Sequence, residues 1–317
     1  MKERMVDLLI VGAGPAGMAA ALYAGRSLLK PVVLERMSIG GLAGTADWID
    51  NYPGFAEGVA AYDLMESMHR QAERFGAEFV LDEALTLTRT DAGFDVATAE
   101  QTVFHARAVI VASGAVPRAL PLKEEAKYRG HGVSYCATCD AAFFLGKQVA
   151  VVGGGDAAVN ETLVLAKGSS RVFLVHPLET LQATQVLVEQ VSGQTNVELV
   201  AAATPTGLRG EGKLEALIVR QASGGDRTLA VEGVFVAMEY TPVSNLLQGL
   251  VEVDAQGYVV LPETTESGVP GLYVAGDVRR KVLKQIVTAV ADGAVAAQRA
   301  AGFLRRAAGK PEGSAPA

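Results

Sequence analysis

At 317 residues, half of them hydrophobic and 35 of them glycine, the chain suits two medium domains with packed cores and is too apolar for a disordered or fibrous protein. Its formal net charge of −7 excludes general nucleic-acid binding, which needs a basic surface, and no Lys/Arg-rich run of that kind occurs. Two cysteines cannot scaffold a chain of this size, and they lack the second cysteine pair or His-x3-5-His pair that a closed zinc site wants, so no metal is expected. No apolar run reaches the roughly 18 residues of a membrane-spanning helix, and the apolar stretch 8–11 is too short for a signal-peptide core. These features predict a soluble, cytoplasmic protein.

In chain order, Asp7-Leu8-Leu9-Ile10-Val11 has the length and apolarity of a buried strand and runs directly into Gly12-Ala13-Gly14-Pro15-Ala16-Gly17. Helix formers follow from Met18 to Ala24, and a second strand, Pro31 to Leu34, ends in Glu35. This strand–turn–helix–strand order with an acid at its end is a dinucleotide fingerprint. Gly12 allows the tight turn, Gly14 admits a pyrophosphate to the backbone, and Gly17 lets helix and strand pack closely. The helix N-terminus then faces the phosphates, and Glu35 can accept from ribose hydroxyls.

Residues 40–58 read as loop. A helix is expected at about 61–75, with Leu64, Met65, Met68, Ala72 and Phe75 on one stripe. The segments 78–81, 85–89, 94–98 and 102–105 alternate as a small antiparallel meander would, and Ala108 to Ala112 reads as a buried strand. A second strand–turn–helix begins at Gln148, with the turn Gly153-Gly154-Gly155-Asp156-Ala157-Ala158 and a further strand at Arg171 to Val175. Two such starts about 140 residues apart are an internal repeat of one architecture. In this second turn Gly153, Gly155 and Ala158 hold the fingerprint positions. The chain closes with a strand ending at Gly276-Asp277, a long helix over about 285–305, and a tail, 309–317, expected to be disordered.

Between the two glycine turns lies Cys136-Ala137-Thr138-Cys139-Asp140. A Cys-x-x-Cys pair reaches disulfide geometry within one turn, and in a reducing compartment such a pair is expected to be redox-active or metal-binding rather than structural. At a helix N-terminus the thiolate, the reactive species, is favoured.

On these residues the chain resembles the low-molecular-weight thioredoxin reductases, the FAD-dependent class II pyridine-nucleotide-disulfide oxidoreductases. The resemblance spans nearly the whole sequence, through Gly12 to Gly17, Asp50-Asn51-Tyr52-Pro53-Gly54, Ala112-Ser113-Gly114-Ala115, the Cys-Ala-Thr-Cys-Asp centre and Ala275-Gly276-Asp277-Val278. It implies an α/β fold of two Rossmann-like three-layer (ββα-type) nucleotide-binding domains, the first discontinuous: 1–115 with 245–317 for FAD, and 116–244 for the second nucleotide module carrying the dithiol. It also implies a homodimer and a thioredoxin-like substrate. The family's FAD contacts fall on Gly12, Gly14, Pro15, Ala16, Glu35, Gly41, Thr45, Asn51, Asp277 and Gln285. By the same resemblance Cys139 faces the flavin, Cys136 attacks the partner's disulfide, and Asp140 moves the proton. The usual Gly-Gly-Gln-Leu is here Gly40-Gly41-Leu42-Ala43, so the chain departs from the family at the glutamine.

The sequence departs from the family most at the donor side. NADPH-using members carry His-Arg-Arg and a further arginine four positions on, because a 2′-phosphate dianion is best held bidentately by guanidinium. This chain reads His176-Pro177-Leu178-Glu179-Thr180-Leu181-Gln182, with no arginine and an acid that would repel phosphate. Glu239 stands where a glycine near the nicotinamide is usual. Poor NADPH use is therefore expected, with NADH or a reduced carrier such as ferredoxin as donor. Arg279, Arg280, Lys281 and Lys284 form a cationic cluster that would suit an acidic carrier. Two alternatives remain: a flavin-dependent dithiol oxidase, and a non-catalytic flavin-bound redox sensor.

Overall fold

Ten residues, Lys2–Val11, form the first strand, β1, and its two halves behave differently. The first half alternates between exposed and half-buried, while Leu8, Leu9 and Ile10 are wholly buried. The apolar half is covered on both faces, which is why it reads as a continuous run rather than an alternation. The computed structural model describes residues 2–46, 48–238, 240–261 and 264–307. Glu239 and the tail 309–317, both subjects of expectations above, lie outside the described residues.

The chain separates into two compact units, Met1–Val116 with Thr241–Ala317, and Pro117–Tyr240. In the first, β1 leads into helix α1 (Pro15–Arg26) and strand β2 (Val32–Glu35), then helix α2 (Ala61–Arg74). Strands β3 (Glu78–Leu81), β4 (Ala84–Thr90), β5 (Gly93–Thr98) and β6 (Thr102–Val111) follow. The sheet order is β3-β2-β1-β6-β5-β4, and the returning strand Leu272–Val274 adds in parallel to the end of β6.

Two sequence expectations change here. Glu78–Leu81 is no part of the meander; it pairs in parallel with β2 as the edge of the main sheet. The segments 102–105 and 108–111 are one ten-residue strand, β6, not two. Its first half pairs antiparallel with β5, and its length also runs parallel to β1. An alternating start and a solidly apolar end look like two strands in sequence because one end has a single covered face and the other has two.

Helix α1 packs against the long helix Ile286–Ala307 through small residues: Ala16, Ala20 and Ala24 on one side, Ala289, Ala296, Ala297 and Ala300 on the other. A Cβ on Gly293 would land on the carbonyl oxygen of Ala16. The returning segment is thus locked to the first glycine turn by backbone-level contact.

In the second unit the parallel sheet runs β7 (Val133–Ser134), β14 (Gly233–Val236), β8 (Gln148–Val152), β9 (Arg171–Val175), β10 (Val197–Val200). Between β10 and β14 the chain makes an antiparallel meander of β11 (Ala203–Arg209), β12 (Ala216–Gln221) and β13 (Asp226–Ala230). Helices α3 (Ala137–Asp140), α4 (Asp156–Ala166) and α5 (Gln185–Ser192) lie on one side of the sheet, around Val149, Val151, Val159, Leu165 and Leu174. The other side packs on the meander through Val152, Phe173, Val175, Leu217 and Val219. Among the described residues no helix is long and apolar enough to cross a membrane.

Gly293→Val is expected to destabilise the protein by about 1–3 kcal/mol in denaturant unfolding, because the added carbons must displace α1 backbone. Gly302→Ala in the same helix meets only the end of the Arg306 side chain and should be neutral or stabilising by up to about 1 kcal/mol.

Candidate active site

Strand β7 ends at Ser134, and the chain turns at once into the four-residue helix α3, with Cys136 at its N-cap. Cys136 and Cys139 are joined as a disulfide, with Cα atoms 5.3 Å apart. The Cys136 sulfur accepts the Cys139 N–H at 3.1 Å. Cys139 is exposed and Cys136 half-buried. Asp140 closes the turn, its N–H donating to the Cys136 carbonyl at 3.2 Å.

Ser134 organises this turn from below. Its Oγ donates to Asp140 Oδ2 at 2.7 Å and accepts the Cys136 N–H at 3.1 Å. The carboxylate is thereby held in place beside the dithiol rather than free in solvent. Tyr135 is anchored separately: its hydroxyl donates to Glu125 at 2.6 Å, and Arg129 pairs with the same carboxylate at 3.0 Å. Burial first, then the neighbouring Glu125, raise the Tyr135 phenol above its ordinary value.

A second acid lies behind the turn. Glu161 on α4 accepts the backbone N–H of Ala137, the first residue of α3, and its Oε2 is out of solvent with no hydrogen-bond partner. Burial pushes its pKa up to about 7, against the smaller downward pull of the Ala137 N–H. Sequence reading missed both Ser134 and Glu161. Glu161 is the one charged residue between Asp156 and Lys167, in a helix rich in Ala, Val and Leu, and that is its local sign in the sequence.

In the first unit, Gly12 has φ +104°, and a Cβ there would strike the carbonyl of Ala112, just past the end of β6. Gly14 caps α1 with Pro15 as the first helical residue, and Ala16 is buried behind it. Gly41 faces Gly14 so closely that a Cβ on it would lie 3.1 Å from the Gly14 Cα. Between them, two side-chain-free backbones form a cradle. The carboxylate of Glu35 accepts the N–H groups of Ala13 and Met37, each at 2.9 Å, which fixes it at the mouth of the turn. The Thr45 hydroxyl donates to the Leu42 carbonyl at 2.8 Å, within a short 3-10 helix. Asn51 and Gln285, 234 positions apart, meet at 3.0 Å between Nδ2 and Oε1.

Asp277 follows Gly276 in a short 3-10 turn after the returning strand. Burial raises its pKa, and Lys281, 3.3 Å away, pulls it back down. The cationic cluster expected at 279–284 is a different object from the one its sequence suggests. Arg279 is buried and pairs with Asp292 at 2.9 Å, and Lys281 bridges Asp277 and Asp292 at 3.3 and 3.2 Å. Lys284 lies over the Tyr258 ring. Two of the four cations thus neutralise internal acids, and the cluster is no open steering patch. Asp292, in the middle of the long helix, gives no local hint of that role.

In the second unit the repeat keeps its turn. Gly153 has φ +152° and no room for a Cβ against Ala237, Gly155 caps α4, and Ala158 is wholly buried beneath. Beyond β9, His176 is buried, and its desolvation lowers the pKa against an opposing pull from Glu179. Pro177 to Thr180 are exposed, so the arginine-free segment presents Glu179 to solvent. The Gln182 N–H donates to the Gly154 carbonyl at 2.7 Å, and Asp156 Oδ1 accepts the Thr184 N–H at the same distance, which ties this loop to the turn. Among the described residues no group of acids, histidines and cysteines is placed to hold a metal.

Residues 6–293 match the pyridine nucleotide-disulphide oxidoreductase family. The chain belongs to that family. It is 38% identical to a thioredoxin reductase of Treponema pallidum over 95% of this chain and 98% of the relative. Its fold superposes on a Lactococcus lactis thioredoxin reductase with a TM-score of 0.92 at 32% identity, covering 95% of this chain and 99% of the other. A ferredoxin-flavin thioredoxin reductase of Clostridium acetobutylicum gives a TM-score of 0.53 at 30% identity, covering 96% and 99%. The chain is accordingly a thioredoxin-reductase-like, flavin-dependent disulfide oxidoreductase with its Cys-x-x-Cys pair at Cys136 and Cys139.

The Glu161 carboxyl carries a stability consequence. Its folded pKa of about 7 stands above the ordinary 4.5, so the folded state holds a proton that the unfolded chain has released between these values. Stability from this group is complete below pH 4.5 and is lost as pH rises to about 7. Glu161→Gln should therefore stabilise the protein by about 1–3 kcal/mol at about pH 8 and by little at acid pH, in unfolding curves taken across that range.

Proposed function

We propose that this oxidoreductase passes electrons through FAD, held by the first unit, to the Cys136–Cys139 disulfide and on to the disulfide of a thioredoxin-like protein. NADPH is a poor donor in this reading, and NADH or a reduced carrier such as ferredoxin takes its place. The observation that carries the dithiol role is the Cys136–Cys139 bridge with Asp140 held beside it by Ser134.

The residues of the first turn fit FAD. The cradle between Gly14 and Gly41 is one that a Cβ would narrow, and Glu35 is already fixed as an acceptor. Gly12, Gly14, Pro15 and Ala16 would receive the pyrophosphate and Glu35 the ribose. Gly41, Thr45, Asn51, Asp277 and Gln285 would complete the site. When bound, FAD would supply a two-electron carrier, refilled by one hydride from a nicotinamide or by two successive one-electron transfers from a ferredoxin-type carrier.

On the substrate side the chain's own groups suffice. With the pair reduced, the Cys136 thiolate attacks one sulfur of the partner's disulfide, forming a mixed disulfide and releasing the partner's other sulfur as a thiolate. Cys139 then attacks Cys136, restoring the Cys136–Cys139 bond and expelling the partner's second sulfur. Asp140 takes the proton from the attacking thiol and returns it to the departing one. A homodimeric, cytoplasmic enzyme is the form this reading assigns.

The donor assignment is supported by the exposed, arginine-free segment after β9, where Glu179 would face a 2′-phosphate. The intact turn of Gly153, Gly155 and Ala158 favours NADH as the second reading, because a backbone cradle for a pyrophosphate needs no arginine. A protein carrier has a precedent in the Clostridium acetobutylicum relative, a ferredoxin-flavin thioredoxin reductase.

Anaerobic reduction of the bound flavin by NADPH, NADH and reduced ferredoxin in parallel tests the donor. Slow bleaching by NADPH beside rapid bleaching by ferredoxin or NADH is expected, and rapid bleaching by NADPH would overturn the donor claim. Oxygen uptake driven by a small dithiol alone would favour the oxidase. Cys136→Ser should abolish thioredoxin reduction; undiminished turnover in that variant would remove the relay.

A further inference from the structure

Among the described residues, Glu161 is an acid beside the dithiol to which the exchange chemistry above gives no task. It lies in the same unit as the cysteines, and it reaches them through one atom: the N–H of Ala137, the peptide directly after Cys136, donates to its carboxyl. Its second oxygen is buried and unbonded.

Among the described residues, most of the charged groups on the elements packed around it are committed. Helix α4 packs on α3, α5, β8, β9 and the segment 141–144. From α3 and its cap come Cys136, Cys139 and Asp140, the acid held by Ser134. From α5 comes Glu189, which accepts from Gln185 on its own helix at 3.3 Å. Arg171 at the start of β9 is paired with Glu198. The ends of α4 carry Asp156, engaged by the Thr184 N–H, and Lys167. Strand β8 and residues 141–144 bring no ionisable group. The disulfide itself is uncharged. Among these described groups reduction of the disulfide is the event that adds a negative charge, and it adds it on the same turn that Glu161 grips.

We propose that Glu161 is a positioning residue whose proton occupancy is coupled to the dithiol: it takes up a proton when the Cys136–Cys139 disulfide is reduced and releases it on reoxidation. Two electrons enter and the S–S bond breaks. One sulfur takes a proton, the other stays a thiolate, and the second proton goes to the Glu161 carboxylate. The site's net charge is then the same in both redox states, although a thiolate has been created in a partly buried turn. Two like charges sharing one turn would otherwise disfavour the thiolate that substrate attack needs. A carboxyl that titrates near neutrality in the oxidised protein, as burial makes Glu161 do, is poised for this exchange. The coupling acts at and above pH 7, since below that Glu161 is protonated in both states.

The proposal does not depend on which donor serves the enzyme. Its test is the pH dependence of the dithiol midpoint potential in the flavin-loaded protein. The protein is equilibrated with mixtures of reduced and oxidised dithiothreitol from about pH 6 to pH 9, quenched in acid, and the Cys136 and Cys139 thiols are counted by alkylation and mass spectrometry. Wild type should take up one more proton per two electrons than Glu161→Gln above pH 7, and the two curves should run parallel below it. Glutamine can still accept the Ala137 N–H, so the turn should persist. Asp156→Asn, which removes a nearby charge without touching α3, should keep the wild-type slope. Infrared difference spectra, reduced minus oxidised, should show a protonated-carboxyl band gained in wild type and missing in Glu161→Gln. Equal slopes in wild type and Glu161→Gln, the same change of slope in Asp156→Asn, or no carboxyl band on reduction would each overturn the proposal.

Discussion

Close approach of one backbone to another at the glycine turns is the constraint on which both units depend. At Gly12 and Gly153 a side chain would strike the carbonyl of the residue just past a neighbouring strand, Ala112 after β6 and Ala237 after β14. At Gly17 it would strike the carbonyl of Gly12, and at Gly293 that of Ala16. Such contacts leave no volume for adjustment, so strand, turn and helix hold one relative geometry. The first backbone N–H groups of α1 and α4 lack intrahelical partners, and a nucleotide site uses such groups.

The same constraint explains the discontinuity of the first unit. An alanine-rich α1 has little apolar surface per turn and buries it by letting a second helix come unusually near. Ile286–Ala307 supplies the matching alanines and Gly293. The returning segment also brings its own acids, and these take up Arg279 and Lys281. Charges that look like a surface feature in the sequence are thereby internal braces that set Gly276 and Asp277 against α1. Gly276 itself has φ +80° and donates its N–H to Asp292.

In the second unit the fixed turn does something different, since it anchors a helix that supports the dithiol. Helix α4 carries Glu161 to the first peptide of α3, and β7 carries Ser134 to its other side. The cysteines are consequently held between two hydrogen-bonded acids, Asp140 and Glu161. The first is bonded through a hydroxyl, the second through a backbone N–H, and only the second is lifted by burial towards neutrality. A redox pair that changes charge as it works benefits from a neighbour that can change charge with it.

Much of this was legible in the chain itself. The two glycine turns, Glu35 at the end of β2 and the Cys-x-x-Cys-Asp centre are local patterns, and each is written within a few residues because the geometry it serves is local. Composition and the absence of arginines between His176 and Gln182 are equally plain in the sequence. Tertiary structure decided whatever depends on partners remote in sequence. It made Glu78–Leu81 a parallel edge rather than a meander strand, joined Asn51 to Gln285, and turned Arg279 and Lys281 inward onto Asp277 and Asp292. It also placed Glu161 beneath Ala137. A charge or a hydrogen bond is settled by what lies opposite it, and in a folded chain the opposite group comes from elsewhere in the sequence.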